Sequence, residues 1–333
     1  MVAITERVAK VHQVGSHPKL ALVTTMYREH QLTNGWMKDL SINEGFIYGL
    51  SSGVGSLYLD RTESNQSHLL IGWNSLDPLL DLSMSTGTWV NRRFSADSNQ
   101  AVEEMRQYLT QWQKPVLAPI NCRILNGLRD PYEQYRHRLP FPISYCLVSE
   151  ITDDKVSIFL SNQNDVMKIP LTTFKTAIEG LTNQWVDLIF PKKELNHRWS
   201  MWQSFARNVH HFNSGWRGLS SGLVGLYDFL ENEPLNHRAL EDTFLYASYL
   251  SGDLGRGWYA EYLRSMGEEF NDTRFFETSI IYEELSEAWT MAIYEMENAN
   301  IHQGLLKGIS SLEEKALNNL SDLANRNKKV RVG

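Results

Sequence analysis

Cysteine is nearly missing: the 333-residue chain has two, Cys122 and Cys146. Two cannot build a disulfide framework or a four-cysteine zinc site, and such scarcity suits a reducing compartment. Long apolar runs are missing as well, and none approaches the roughly 20 residues that a membrane-spanning helix needs. The opening segment MVAITERVAKVHQVG carries Glu6, Arg7 and Lys10 where a signal peptide has an apolar core, so no membrane association and a cytoplasmic location are expected. Positive charge is not in excess. A net charge of −7 argues against nucleic acid as a partner of the whole protein. Phosphate-binding signatures fail on spacing. Gly49, Gly53 and Gly55 follow G-x-x-x-G-x-G, no Lys-Ser or Lys-Thr comes after them, and the next segment reads as a strand, so neither a P-loop nor a dinucleotide fingerprint is present. No cofactor is expected. No metal site is expected either. His210 and His211 are adjacent on a helical pattern and point about 100° apart, and Glu283, Glu284 and Glu287 read as a solvated helix face.

What is present describes an ordinary globular protein, with 42% hydrophobic and 21% charged residues. Ten tryptophans and fourteen tyrosines suit an aromatic-lined core or a cleft for an organic ligand. The length exceeds one usual core, and two domains are the expectation. Helical periodicity covers 20–32, 37–50 and 97–112, the last with Val102, Met105, Leu109 and Trp112 on one face and Ser95 or Asp97 as its cap. Strands are expected at 56–60, 68–73, 88–94, 115–120, 143–150, 155–161 and 185–190, with a short helix at 172–180. After Pro191-Lys192-Lys193 the character changes, and 197–325 holds a single proline, Pro234, within continuous helical periodicity. The division is therefore a lead-in at 1–18, an α+β domain at 19–194, an all-helical domain at 195–325 and a basic tail at 326–333. The string at Leu219–Phe229 echoes Leu50–Leu59, but the surrounding sequence does not match and no repeat is read.

The stretch Leu40–Leu59, LSINEGFIYGLSSGVGSLYL, places Glu44 ahead of an apolar run and a glycine-rich turn. Its order, Glu-x-x-x-aromatic-Gly-Leu-small-small-Gly-x-Gly leading to x-x-Tyr, resembles the N-terminal domain of the butirosin-biosynthesis H proteins. The helical half adds Gly252-Asp253-Leu254-Gly255-Arg256, Trp258-Tyr259-x-x-Tyr262-Leu263 and Tyr282-Glu283-x-x-x-x-Glu287-x-Trp289, which resemble the domain that follows that module. The likeness spans roughly residues 20–298. It implies a papain-like N-terminal domain followed by an all-α domain, and an acyltransferase of specialised metabolism that moves an acyl group from a carrier protein to an amine.

In such an enzyme a Cys at the start of the first helix attacks the thioester, and a His at a strand start takes its proton. The resemblance aligns the nucleophile region with Thr24-Thr25 and the base with Ile143 or Ser144, with Asn162 as the orienting residue. No cysteine precedes Cys122, and no histidine lies between His137 and His197. Thr24, Thr25 and Ser144 are thus the catalytic candidates by position alone. A threonine near a helix start also serves as a cap, and Cys146 on its strand reads as a small hydrophobe. Glu44, Tyr48, Ser51, Ser52, Arg256 and Tyr259 are candidates for lining a small-molecule site; Glu44 also suits holding a backbone, and Arg256 an anion. Arg129, Arg136 and Arg138 lie in the long loop 121–141 and are candidates for meeting an acidic acyl- or peptidyl-carrier protein. Two functions stay open: an acyltransferase-like enzyme whose chemistry avoids the missing pair, and a catalytically silent binding or partner protein. The sequence admits a homo-oligomer.

Overall fold

A computed structural model describes residues 2–15, 17–35, 37–51, 53, 56–61, 66–71, 78–121, 124–125, 143–179, 181, 184–192, 196–214, 227, 255–297 and 303–327. Its described elements are mixed helix and strand, an α+β arrangement. In chain order they are α1 (Ile4–Val11), α2 (Pro18–Asn34), α3 (Glu44–Leu50), β1 (Ser56–Arg61), β2 (Gln66–Ile71), α4 (Pro78–Thr86), β3 (Trp89–Phe94), α5 (Ser98–Trp112), β4 (Val116–Asn121), β5 (Ile143–Ile151), β6 (Lys155–Leu160), β7 (Met167–Pro170), α6 (Leu171–Ile178), β8 (Gln184–Ile189), α7 (His197–Ser214), α8 (Arg256–Phe270), α9 (Thr273–Glu297) and α10 (Gln303–Asn327). Among the described residues no helix is long and apolar enough to cross a membrane.

The chain forms two compact units, one from residues 1–44 and 88–194, the other from 45–87 and 195–333. The first is built on a six-stranded sheet of order β3-β8-β4-β5-β6-β7 in which every pairing is antiparallel. Strands β4 and β6 are buried at nearly every position. Continuous burial of that kind means that both faces are covered. The Lys19 ammonium of α2 lies 5.3 Å from the Tyr145 ring, and Thr5 of α1 meets Ser149 at 2.9 Å, so those residues of β5 face α1 and α2. Helix α5 packs on β5 and β8, and also on α6. It starts where the sequence indicates: the Asp97 carboxylate accepts from Gln100 N at 2.9 Å, and Ala101, Val102, Met105 and Leu109 are buried. Trp112, expected on that apolar face, is 57% exposed. The helix expected over 37–50 is confined to 44–50. Gly35 (φ 67°) ends α2 in the left-handed region, and Met37 (φ 49°) takes the same conformation two residues on, which no continuous helix tolerates.

The second unit holds α4, α7, α8, α9, α10, most of α3 and the β1–β2 hairpin, so it is not all-helical. The sequence reading kept 45–87 with the N-terminal domain; the structure moves that segment across, and its glycines explain the move. A Cβ on Gly49 would fall inside the Tyr262 ring of α8, one on Gly45 would lie 2.7 Å from Trp258 O, and one on Gly53 would lie 2.5 Å from the Tyr48 ring. Ser204 and Asn208 of α7 both donate to Gly49 O, at 2.6 and 3.2 Å. The glycine-rich stretch is therefore a packing surface for α7 and α8. Gly49→Ala is expected to destabilise the protein by about 1–3 kcal/mol through overpacking. Gly308→Ala, in mid-α10 with nothing within 4 Å of the added methyl, should stabilise it by about 0.5–1 kcal/mol. Chemical denaturation of the two variants reads both effects, and equal effects would show that Gly49 is not in close contact.

Candidate functional site

The resemblance directs attention first to the start of α2. That start is Pro18, not Thr24. Proline at the first helical position has no N–H to offer, and His17 Nδ1 accepts from Lys19 N at 3.2 Å and Leu20 N at 3.0 Å. Burial, with Lys19 adding to it, drives the His17 pKa down to about 3, so the ring is neutral and serves as the cap. Glu44 belongs here too. Its Oε1 accepts from His17 N at 3.2 Å, and its carboxyl sits where a Cβ on Gly15 would be, 2.6 Å away. Glu44 thus holds a backbone turn.

Thr24 and Thr25 lie on the second turn of α2, both buried. Their hydroxyls donate back to Leu20 O at 2.8 Å and Ala21 O at 2.9 Å. The structure supplies a histidine that sequence reasoning missed: His12 Nδ1 stands 3.0 Å from Thr25 Oγ1. The other ring nitrogen lies 3.0 Å from Leu160 O and 2.8 Å from Gln163 O. Carbonyls only accept, so Nε2 carries the hydrogen, and Nδ1, left as an acceptor, competes with Ala21 O for the single Thr25 hydroxyl hydrogen. Burial lowers the His12 pKa against the opposing pull of those two carbonyls. The pair has the form of a hydroxyl and its base, yet Thr25 is 0% exposed, and no substrate can reach its oxygen. It joins the end of α1 to α2 and to the end of β6. The signal was in the sequence, since Ile4 and Val8 are one helical turn apart and both buried; the lead-in was a helix that delivers His12.

Ser144 is not brought to the threonines. Tyr145 faces α2, and side chains alternate along a strand, so Ser144 and Cys146 point to the opposite face of β5. Cys146 is fully buried, and burial pushes its thiol pKa far up, the reverse of an activated nucleophile. Asn162, the proposed orienting residue, is exposed. Ser52, Arg129, Arg136, Arg138 and Cys122 lie outside the described residues. Gly49-Leu50-Ser51-Ser52-Gly53 has the spacing of a nucleophile elbow, G-x-S-x-G, but it follows a helix where that motif follows a strand. Ser51 is buried and its hydroxyl donates to Tyr48 O at 2.9 Å.

Three of the lining candidates do converge, in the second unit. Arg256 opens α8 after the left-handed Gly255 (φ 76°), and a Cβ on that glycine would collide with the Tyr48 hydroxyl. The guanidinium is 1% exposed and already has an anion: Glu313 Oε1 of α10 accepts from Arg256 Nε at 2.9 Å and Nη2 at 2.7 Å, and from Trp289 Nε1 at 2.9 Å. Burial disfavours the arginine charge, but Glu313, Tyr48 and Tyr282 outweigh it and hold its pKa above the ordinary value. Tyr259 meets the Tyr282 ring at 4.9 Å and accepts from Asn208 Nδ2 at 3.4 Å. Glu313 Oε2, the Tyr282 hydroxyl and Asn208 Oδ1 are buried without a hydrogen bond among the described residues. Glu313 and Asn208 were not singled out from the sequence. Glu313 lies on an amphipathic helix among other acidic residues, and nothing local distinguishes an inward carboxylate. Chemically the cluster is a neutralised charge pair in an aromatic shell, with hydrogen-bonding capacity left over and no nucleophile among the described residues.

No group of three or more potential metal ligands occurs among the described residues. No protein-family model matches the chain, and no curated protein matches it.

Proposed function

We propose that this protein is a binding or partner protein of specialised metabolism, with the papain-like and helical architecture of the butirosin-H acyltransferases and without their acyl-enzyme chemistry. One observation carries the reading. The start of α2, where a transferase of that kind needs a thiol and free backbone donors for an oxyanion, is occupied by Pro18 and by a neutral, buried His17 that takes the first two donors for itself. The hydroxyls at Thr24 and Thr25 are spent inside the helix, and Cys146 is a buried hydrophobe. The partner proposed is an acyl- or peptidyl-carrier protein, whose acidic surface and phosphopantetheine phosphate would suit Arg129, Arg136 and Arg138. The full chain is titrated with the acyl-loaded form of an acyl-carrier protein, followed by calorimetry and intact mass. Saturable binding with no acyl adduct is the expected result. An adduct on Thr24, Thr25 or Cys146 would restore the covalent-transferase reading, and absence of binding would remove the carrier as partner.

A further inference from the structure

Helix α9 carries two seams with the same alternation of three- and four-residue steps. Phe275, Thr278, Tyr282, Leu285, Trp289 and Ala292 are buried and face the rest of the second unit. Glu277, Ile280, Glu284, Glu287, Met291 and Tyr294 are all exposed. The exposed set begins two residues after the buried one, about 200° round the helix, so it runs down the opposite side. Steps of three and four residues are those of a seam that packs on another helix. Ile280, Met291 and Tyr294 are 53%, 58% and 63% exposed. A lone exposed apolar residue needs no explanation. Three on one line, at the spacing by which one helix anchors on another, are a contact pattern.

The helix also carries more acid than its own packing uses. Arg274 is its single base, against Glu277, Glu283, Glu284, Glu287, Glu295 and Glu297. Glu283 pairs with Arg264 of α8. Glu284 and Glu287, in the middle of the exposed seam, pair with no base among the described residues. Glu295 and Glu297 stand at the C-terminal end, where the helix dipole disfavours negative charge.

We propose that the exposed seam of α9 is a docking surface for a basic amphipathic helix of another protein. Charge selects this occupant. A second copy laid antiparallel, with Ile280 on Met291, would set Glu284 against Glu287 twice over, and like charges in a contact are costly. An acidic carrier protein is repelled by the same carboxylates, so the proposal is independent of the carrier-protein reading. The seam also defines the sequence that fits it. Laid antiparallel and read from Tyr294 to Ile280, the partner helix is apolar-x-x-apolar-x-x-x-basic-x-x-basic-x-x-x-apolar. Its apolar positions meet Tyr294, Met291 and Ile280, and its two bases meet Glu287 and Glu284. At 1.5 Å per residue that contact is about 21 Å long, or about four turns.

The full chain is titrated, by fluorescence anisotropy, with a labelled synthetic helix of about three heptads. It carries leucine at the apolar positions and lysine at the basic ones, and a second peptide has glutamate in place of the lysines. The lysine peptide is expected to bind at least about tenfold more tightly. Glu284→Lys combined with Glu287→Lys should reverse the preference, with a thermal melt to show that the fold is kept. Met291→Asp should weaken the lysine peptide at least about fivefold with both carboxylates in place, which separates docking on the seam from bulk attraction. No binding of the lysine peptide, equal affinity for the two peptides, a preference that survives the charge reversal, or binding indifferent to Met291→Asp would each overturn the assignment. So would dimerisation of the chain alone that Ile280→Asp abolishes, since the occupant would then be a second copy.

Discussion

Glu313→Ala is expected to cost about 3–5 kcal/mol of stability, because it strands a buried guanidinium without its anion. Arg256 is 1% exposed, and the Trp289 indole N–H loses its Glu313 acceptor in the same substitution. Replacing both partners with apolar residues, as in Arg256→Met with Glu313→Leu, should cost much less, because neither charge then needs compensation. Urea denaturation monitored by tryptophan fluorescence separates the two outcomes. A loss below about 1 kcal/mol for Glu313→Ala would mean that water reaches the pair. The cluster would then be an open site.

The second large effect is acid instability with its origin in histidines. His17 and His30 have pKa values of about 3 and about 4 in the folded chain, each depressed by burial from 6.5. Between those values and 6.5 the unfolded chain binds more protons than the folded one. The stability these groups contribute is thus complete above pH 6.5 and is lost as the pH falls, at up to about 1.4 kcal/mol per pH unit and site. For His17 the reason is local, since protonating Nδ1 removes the acceptor of two cap bonds. His17→Asn keeps a strong capping side chain that does not titrate. Its stability should fall less steeply between pH 6.5 and 4.5 than that of the parent, as read by thermal melts across that range. Equal slopes would assign the acid sensitivity elsewhere.

Much of the first unit was legible because its signals are local. Asp97 caps α5, the Val- and Ile-rich runs became β4, β5 and β6, and the break after Lys193 falls at a unit boundary. What escaped depends on contacts distant in sequence. Gly49 reads as a turn glycine, and only the Tyr262 ring pressed against it shows why no side chain fits. Thr25 lacked a base because His12 comes from a helix 13 residues upstream and not from a strand. Arg256 was recognised as a residue with an electrostatic task, but its partner Glu313 lies 57 residues away, and one acidic residue among several on α10 gives no sign that it points inward. The shift from Thr24 to Pro18 as the helix start is a smaller matter: a histidine cap is unusual, so the usual cap signals did not mark it.

The passage of residues 45–87 into the second unit has a consequence for how the chain is made. That segment leaves the ribosome early, while α8, whose Tyr262 covers Gly49, follows some two hundred residues later. At about 5–20 residues per second the delay is on the order of ten to forty seconds. Throughout that time Phe46, Ile47, Tyr48 and Leu50, all fully buried in the finished protein, have no permanent cover. The first unit meets the same timing, because its sheet is complete only when β8 has emerged, with the early segment looped out of it. Nascent chains halted before residue 255 should therefore recruit chaperones that bind apolar segments, and release them once α8 is out.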